Sequence, residues 1–205
     1  MLIGRHQHGM TLIELLIGIA IFAVLMAMAI PSMTQYIQNT HIRTAAESIV
    51  SGMQYAKSEA LKRNVPVRFQ LVNDLSGGCN LAANGESWVV SLDDPSGSCA
   101  ATMGDAAAPR ILQRRNAAEG SANADVVASS TPAVGGNNSL LIYNGLGRVS
   151  LTNVNRFDRL RITNSTGTCL PGGTMRCLDI IITAGGDGKV CDPTITLNTD
   201  SRYCG

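Results

Sequence analysis

The chain has 205 residues, 45% of them hydrophobic, with 16 Lys and Arg against 15 Asp and Glu. A net charge of +1 excludes partners held by bulk charge, whether nucleic acid or anionic lipid, and leaves only local patches. With 21 Gly, 3 Phe and 1 Trp, whatever lies outside a membrane segment is one modest, loop-rich domain with a small-residue core.

Residues 1–9 form a short leader in which Arg5 is the only charged side chain, accompanied by His6 and His8. From Met10 to Ile30 the chain is apolar over about 20 residues, enough for a helix across a hydrocarbon core of ~30 Å. One carboxylate, Glu14, interrupts that run near its start. An Asp at the centre of such a helix costs about 2.5–3.5 kcal/mol; near the end the cost is smaller, but the charge still calls for a partner and so for a function. A cleavable secretory signal is the competing reading. It rests on Ala27 and Ala29 at the far end of the run, but its apolar region would be shorter. Pro31 follows directly and is expected to remove one hydrogen bond and kink the axis.

The helix is expected to continue. Ile42, Ala45, Ala46, Ile49, Met53, Ala56 and Ala60 recur at three- and four-residue steps, while Arg43, Glu47, Ser51, Gln54, Ser58 and Lys62 line the opposite face. Glu59 and Arg63 stand in the favourable i, i+4 order, and Asn64-Val65-Pro66 ends the pattern. Beyond it come short β-like runs at Val67–Val72, Ser87–Leu92, Arg110–Arg115, Ser139–Tyr143, Gly147–Thr152, Arg159–Thr163 and Cys177–Thr183. Asn144-Gly145 through Gly147 is a hairpin signal, and Ala100–Ala108 and Ala117–Val134 read as loops. The fold class is α+β, one long helix packed on antiparallel sheet. Its segments are a leader at 1–9, a transmembrane helix at 10–32, an amphipathic helix at 33–64 and a β-rich head at 65–205.

Six cysteines, Cys79, Cys99, Cys169, Cys177, Cys191 and Cys204, all follow the apolar helix, and none forms a Cys-x-x-Cys pair. An even set on one side of an anchor reads as disulfides in an oxidising compartment, and the basic leader independently keeps the amino terminus cytoplasmic. Pairing of sequence neighbours is preferred: Cys79–Cys99, Cys169–Cys177 around the Pro171-Gly172-Gly173 turn, and Cys191–Cys204. Loops of this length stabilise by roughly 2–3 kcal/mol each in the chain-entropy account. Metal binding by these thiols is the weaker reading.

The stretch Gly9-Met10-Thr11-Leu12-Ile13-Glu14-Leu15 resembles the prepilin signature of type IV pilins and of type II secretion pseudopilins, which carry Phe where this chain has Met10. The resemblance extends over the leader, the apolar helix and Pro31. It implies a type IV pilin-like fold, cleavage after Gly9 by a prepilin peptidase, N-methylation at Met10, and an assembly role for Glu14. In that role the ammonium freed on one subunit pairs with the Glu14 carboxylate of its neighbour in a low-dielectric helix bundle. Trp88-Val89-Val90 and the terminal Cys191-Asp192-Pro193 … Cys204 loop further resemble the GspH/FimT group, FimU-like minor pilins included. The partners implied are other pilins or pseudopilins, the peptidase and N-methyltransferase, an inner-membrane assembly platform and inner-membrane lipid. The expected location is a single pass through a bacterial inner membrane with a periplasmic head, and then a filament.

Catalysis finds little support. His41 is the only histidine after the leader, so no Ser-His or Cys-His system can be built in the β region. No cofactor and no metal are expected. Asp93-Asp94 reads as a solvated turn, and Gly185-Gly186-Asp187-Gly188-Lys189 as a tight hairpin turn, with a calcium site there the weaker reading. The competing function is DNA capture by Arg148, Arg156, Arg159 and Arg161, a local excess of +3 against Asp158. Gly147-Arg148-Val149-Ser150 lacks the second Arg of the Gly-Arg-x-Arg motif of FimT-type DNA-binding pilins, and only Phe157 offers a stacking ring. The expected function is that of a minor type IV pilin, a non-catalytic subunit that primes or caps assembly. The H-type pseudopilin of a type II secretion system is the first alternative, and a DNA-binding pilin the second.

Overall fold

The computed structural model describes residues 10–121, 123–131, 136–183 and 185–205; the leader, with Gly9, lies outside the described residues, as do the side chains of Met28, Ala29 and Pro31. A long helix, α1, covers Leu12–Arg63, and its helical assignment passes through residue 31 without a break. It stops where Asn64 turns left-handed at φ 53°, with Pro66 barring continuation. Two compact units result, Met1–Ile37 and Gln38–Gly205. In the first, the apolar side chains from Leu12 to Ile30 that are described stand exposed, as suits a helix whose surroundings are lipid or other helices. The second begins at Gln38. It takes in both the amphipathic helix and the β region, because the helix is part of the head's core.

Within the head, the stripe Ile42, Ala45, Ala46, Ile49, Met53, Ala56 and Ala60 is buried, and the charged face from Arg43 to Lys62 is exposed. Among the described residues, eight strands form two antiparallel sheets. One, in the order β3-β2-β1-β5, is built from β1 (Val67–Val72), β2 (Ser87–Ser91), β3 (Ile111–Arg115) and β5 (Leu140–Tyr143). The other, in the order β4-β6-β7-β8, is built from β4 (Ala124–Ser129), β6 (Arg159–Asn164), β7 (Leu178–Ile182) and β8 (Gly188–Cys191).

Three expectations change. The loop expected over Ala117–Val134 contains β4, whose Ala124, Val126 and Ala128 face inward against β6. Alanines carry little strand signal, so it is pairing with β6 that makes this segment a strand. The strand expected at Gly147–Thr152 is instead a turn region with one bridge, Tyr143 to Val149, because Gly147 takes φ 72° and Asn153 occupies the Leu140 carbonyl. The hairpin turn at 185–188 leads into β8, a strand absent from the expected set.

The main core lies between α1 and both sheets. Phe69, Leu71, Trp88, Val90 and Tyr143 enter it from the first sheet, and Val126, Leu160, Ile162 and Ile180 from the second. Helix and sheet meet most closely at Gly52, where a Cβ would lie 2.9 Å from Phe69 and 3.0 Å from Trp88. The buried Trp88 indole donates to Ser48 Oγ at 3.0 Å, which satisfies the polar atom of an otherwise apolar side chain. Strand alternation sends Val72, Val89 and Ile111 to the opposite face of the first sheet, where they form a second small core with Cys79 and Cys99. The disulfides are Cys79–Cys99, Cys169–Cys177 and Cys191–Cys204, with Cα separations of 6.0, 5.5 and 5.1 Å. The first closes two loops over that second core; the last ties the C-terminal loop to the end of β8.

Candidate functional site

The helix opens at a polar cap. Thr11, the residue before α1, donates its backbone N–H to Glu14 Oε2 at 2.9 Å and its hydroxyl to the same oxygen at 2.8 Å. In return Glu14 N donates to Thr11 Oγ1 at 3.3 Å. This reciprocal Thr-x-x-Glu arrangement is a capping box; it satisfies first-turn N–H groups that would be costly to leave bare in hydrocarbon. It also places an acidic group at the positive end of the helix dipole. The carboxylate is thereby fixed one residue away from Met10, whose amine would become the new terminus on cleavage after Gly9. Both bonds to the carboxylate use Oε2, which leaves Oε1 for a donor from elsewhere. Thr11 is legible in the sequence as a Ser/Thr-x-x-Asp/Glu cap before an apolar run, a signal separate from the prepilin-like signature that contains it.

The four arginines of the alternative site do not form one unpaired cluster. Arg159 and Arg161 alternate onto one face of β6 and flank Asp179 of β7 at 3.5 and 2.8 Å. Asp179 is 1% exposed and is a carboxylate that the local charge count omitted. The hydrogen bond to Asp179 raises the Arg161 pKa. Arg148 is exposed on the turn that Asn144 Oδ1 organises by accepting from Leu146 N and Arg148 N. Arg156 is half-buried, and its Nε has no hydrogen-bond partner among the described residues.

The turns at Asp93 and Asp187 each hold an ion pair with one of the protein's own cations. Lys57 of α1 reaches the β7–β8 turn, where its Nζ lies 2.6 Å from Asp187 Oδ1 and 3.0 Å from the Gly185 carbonyl. Tyr143 adds a bond from its hydroxyl to the Gly186 carbonyl at 2.8 Å, and burial pushes its pKa up. Asp93 is more than a solvated turn residue, because Arg110 grips it with Nε at 2.8 Å and Nη2 at 2.7 Å, and with its backbone N–H at 3.2 Å. Those bonds lower the Asp93 pKa to about 2. Asp94, by contrast, caps Ser96 locally.

One open cleft of about 340 Å³ is lined by Asn73, Asp74, Glu86, Ser87, Asn116 and Asn123. Burial, with the Asp125 charge nearby, raises the Glu86 pKa, while Asp74 is spent on Ser76, whose hydrogen bonds lower its pKa. The cleft lining includes no His and no Cys among the described residues. Among the described residues, no three His, Cys, Asp or Glu side chains converge to hold a metal ion.

Comparison with known proteins agrees with this framework. Residues 4–30 match the prokaryotic N-terminal methylation motif, and residues 45–186 match the family described as type II transport protein GspH. No curated protein matches the chain in sequence. Two crystal structures of the type IV minor pilin FimU from Pseudomonas aeruginosa strain PAO1 are similar at 16% and 18% identity, with TM-scores of 0.44 and 0.43. Each alignment covers 76% of this chain, and 99% and 95% of the FimU chains respectively. A methylation motif opening a long apolar helix, followed by a GspH match over most of the remaining chain, makes this protein a member of the GspH family of pilin-like proteins.

Proposed function

We propose that the chain is a minor type IV pilin, a non-catalytic subunit that primes or caps filament assembly. The observation that carries this reading is the Gly9–Met10 junction placed directly before the Thr11–Glu14 cap of an exposed apolar helix. Prepilin peptidase cuts after Gly9 on the cytoplasmic side, and methylation at Met10 leaves the new amine basic. The Met10 ammonium of one subunit then meets Glu14 Oε1 of its neighbour while Thr11 holds Oε2. Such a pair sets the register of the bundle and offsets the burial of both charges. The disulfide-bonded head remains in the periplasm until the subunit is drawn from the inner membrane by the assembly platform, and the other partners are pilins and membrane lipid.

The H-type pseudopilin of a type II secretion system is the second reading, favoured by the description of the family matched over residues 45–186. Deleting the protein separates the two. Loss of surface pili with secretion intact supports the pilin, whereas retained pili with folded substrates trapped in the periplasm supports the pseudopilin. DNA capture stands third, since Asp179 holds two of its four arginines. Salt-sensitive retardation of DNA by the head in a gel shift would move it up.

A further inference from the structure

The head carries a disulfide-closed loop at the end where its helix leaves the apolar span. Residues 165–177 join β6 to β7 and are pinned to the first two residues of the head. Gln38 Nε2 donates to Thr166 Oγ1 at 2.8 Å, and Arg176 N donates to Asn39 Oδ1 at 2.8 Å. The root of the loop is fixed, because Met175 and Cys177 are buried and Cys177 is bonded to Cys169. Its tip is not covered, with Leu170, Pro171, Gly172, Thr174 and Arg176 all exposed. Asn39 follows Ile30 by nine residues, a tether of about 14 Å when helical. Covalent connection alone therefore keeps this loop within reach of the surface of any bilayer that the apolar run crosses.

Charge along this part of the chain is one-sided. No Asp or Glu occurs between Glu14 and Glu47, and none in the loop. Arg43 is shared with Glu47 at 3.9 Å, but the Arg176 side chain makes no ion pair among the described residues. An exposed Leu beside a guanidinium, on a glycine-rich tip without carboxylates, has the composition of an interfacial contact with anionic lipid.

We propose that loop 165–177 is a lipid-contact collar. Arg176 engages anionic phospholipid headgroups while Leu170 rests at the boundary of the acyl chains, steadying the head until the subunit is withdrawn. This rests on the reading of α1 as a membrane anchor. The test is hydrogen exchange, followed by mass spectrometry, on the full mature chain in nanodiscs of phosphatidylcholine alone or of phosphatidylcholine mixed with phosphatidylglycerol. The peptide covering 165–176 should exchange about fivefold more slowly in the anionic discs, which corresponds to ~1 kcal/mol for one basic residue at such a surface. Arg176→Glu should erase that difference, and Leu170→Ser should speed exchange in both discs, with β2 exchange unchanged as the report on folding. Equal exchange of the wild-type loop in the two lipids would overturn the collar while leaving the anchor in place. A chain that failed to co-elute with discs at all would remove the anchor, and the collar with it.

Discussion

Trp88 and Ser48 join the first sheet to α1 through a buried hydrogen bond of 3.0 Å, one helical turn from Gly52, where a Cβ would meet the same indole at 3.0 Å. Within the apolar core, sheet and helix are thus keyed together here by one polar bond and one missing side chain. Ser48→Ala should destabilise the head by about 1–3 kcal/mol, the cost of an unpaired buried donor. Gly52→Ala gains up to ~1 kcal/mol in helix propensity but meets two buried rings, and overpacking of ~1–3 kcal/mol should prevail. Urea unfolding of both variants beside the wild type decides this, and a Gly52→Ala chain more stable than the parent would refute the close contact.

Glu14→Ala should leave processing intact and reduce incorporation into filaments several-fold. Thr11→Ala should act in the same direction but less strongly, because it removes the hydroxyl while keeping the backbone N–H bond that holds the carboxylate. Quantifying the mature subunit in sheared filaments ranks the two. Normal incorporation of Glu14→Ala would count against the docking role.

Gly9→Val should leave the precursor uncut, since a branched side chain at the junction bars the approach of a peptidase. Intact-mass measurement reads this directly: the wild type should lose residues 1–9 and gain a methyl group, and the variant should do neither.

Acid should find a defined weak point at Asp93. Its folded pKa of about 2 lies below the ordinary ~3.9 of an aspartate, the Arg110 side-chain bonds being the main cause. The ion pair thus contributes its full stability above about pH 5 and loses it as pH falls towards 2. The urea midpoint of Asp93→Asn should be lower than that of the wild type at pH 6, and the two should converge near pH 2. Parallel curves over that range would mean that Asp93 is not linked to folding.

The chain alone determined the elements whose signal is local. The apolar run, the buried stripe from Ile42 to Ala60 and the stop at Asn64-Val65-Pro66 follow from side-chain periodicity and backbone preference within a few turns. The strands rich in β-branched and aromatic residues, β1, β2 and β5, were legible for the same reason. The tertiary structure decided what depends on partners far along the chain. β4, an Ala-rich edge, is a strand because β6 lies beside it, and the seating of Asp179 between Arg159 and Arg161 comes from the register of β6 against β7. Lys57 meets Asp187 only because α1 crosses the turn between β7 and β8. None of these pairings leaves a mark in local composition, since each depends on where two distant segments come to rest against one core.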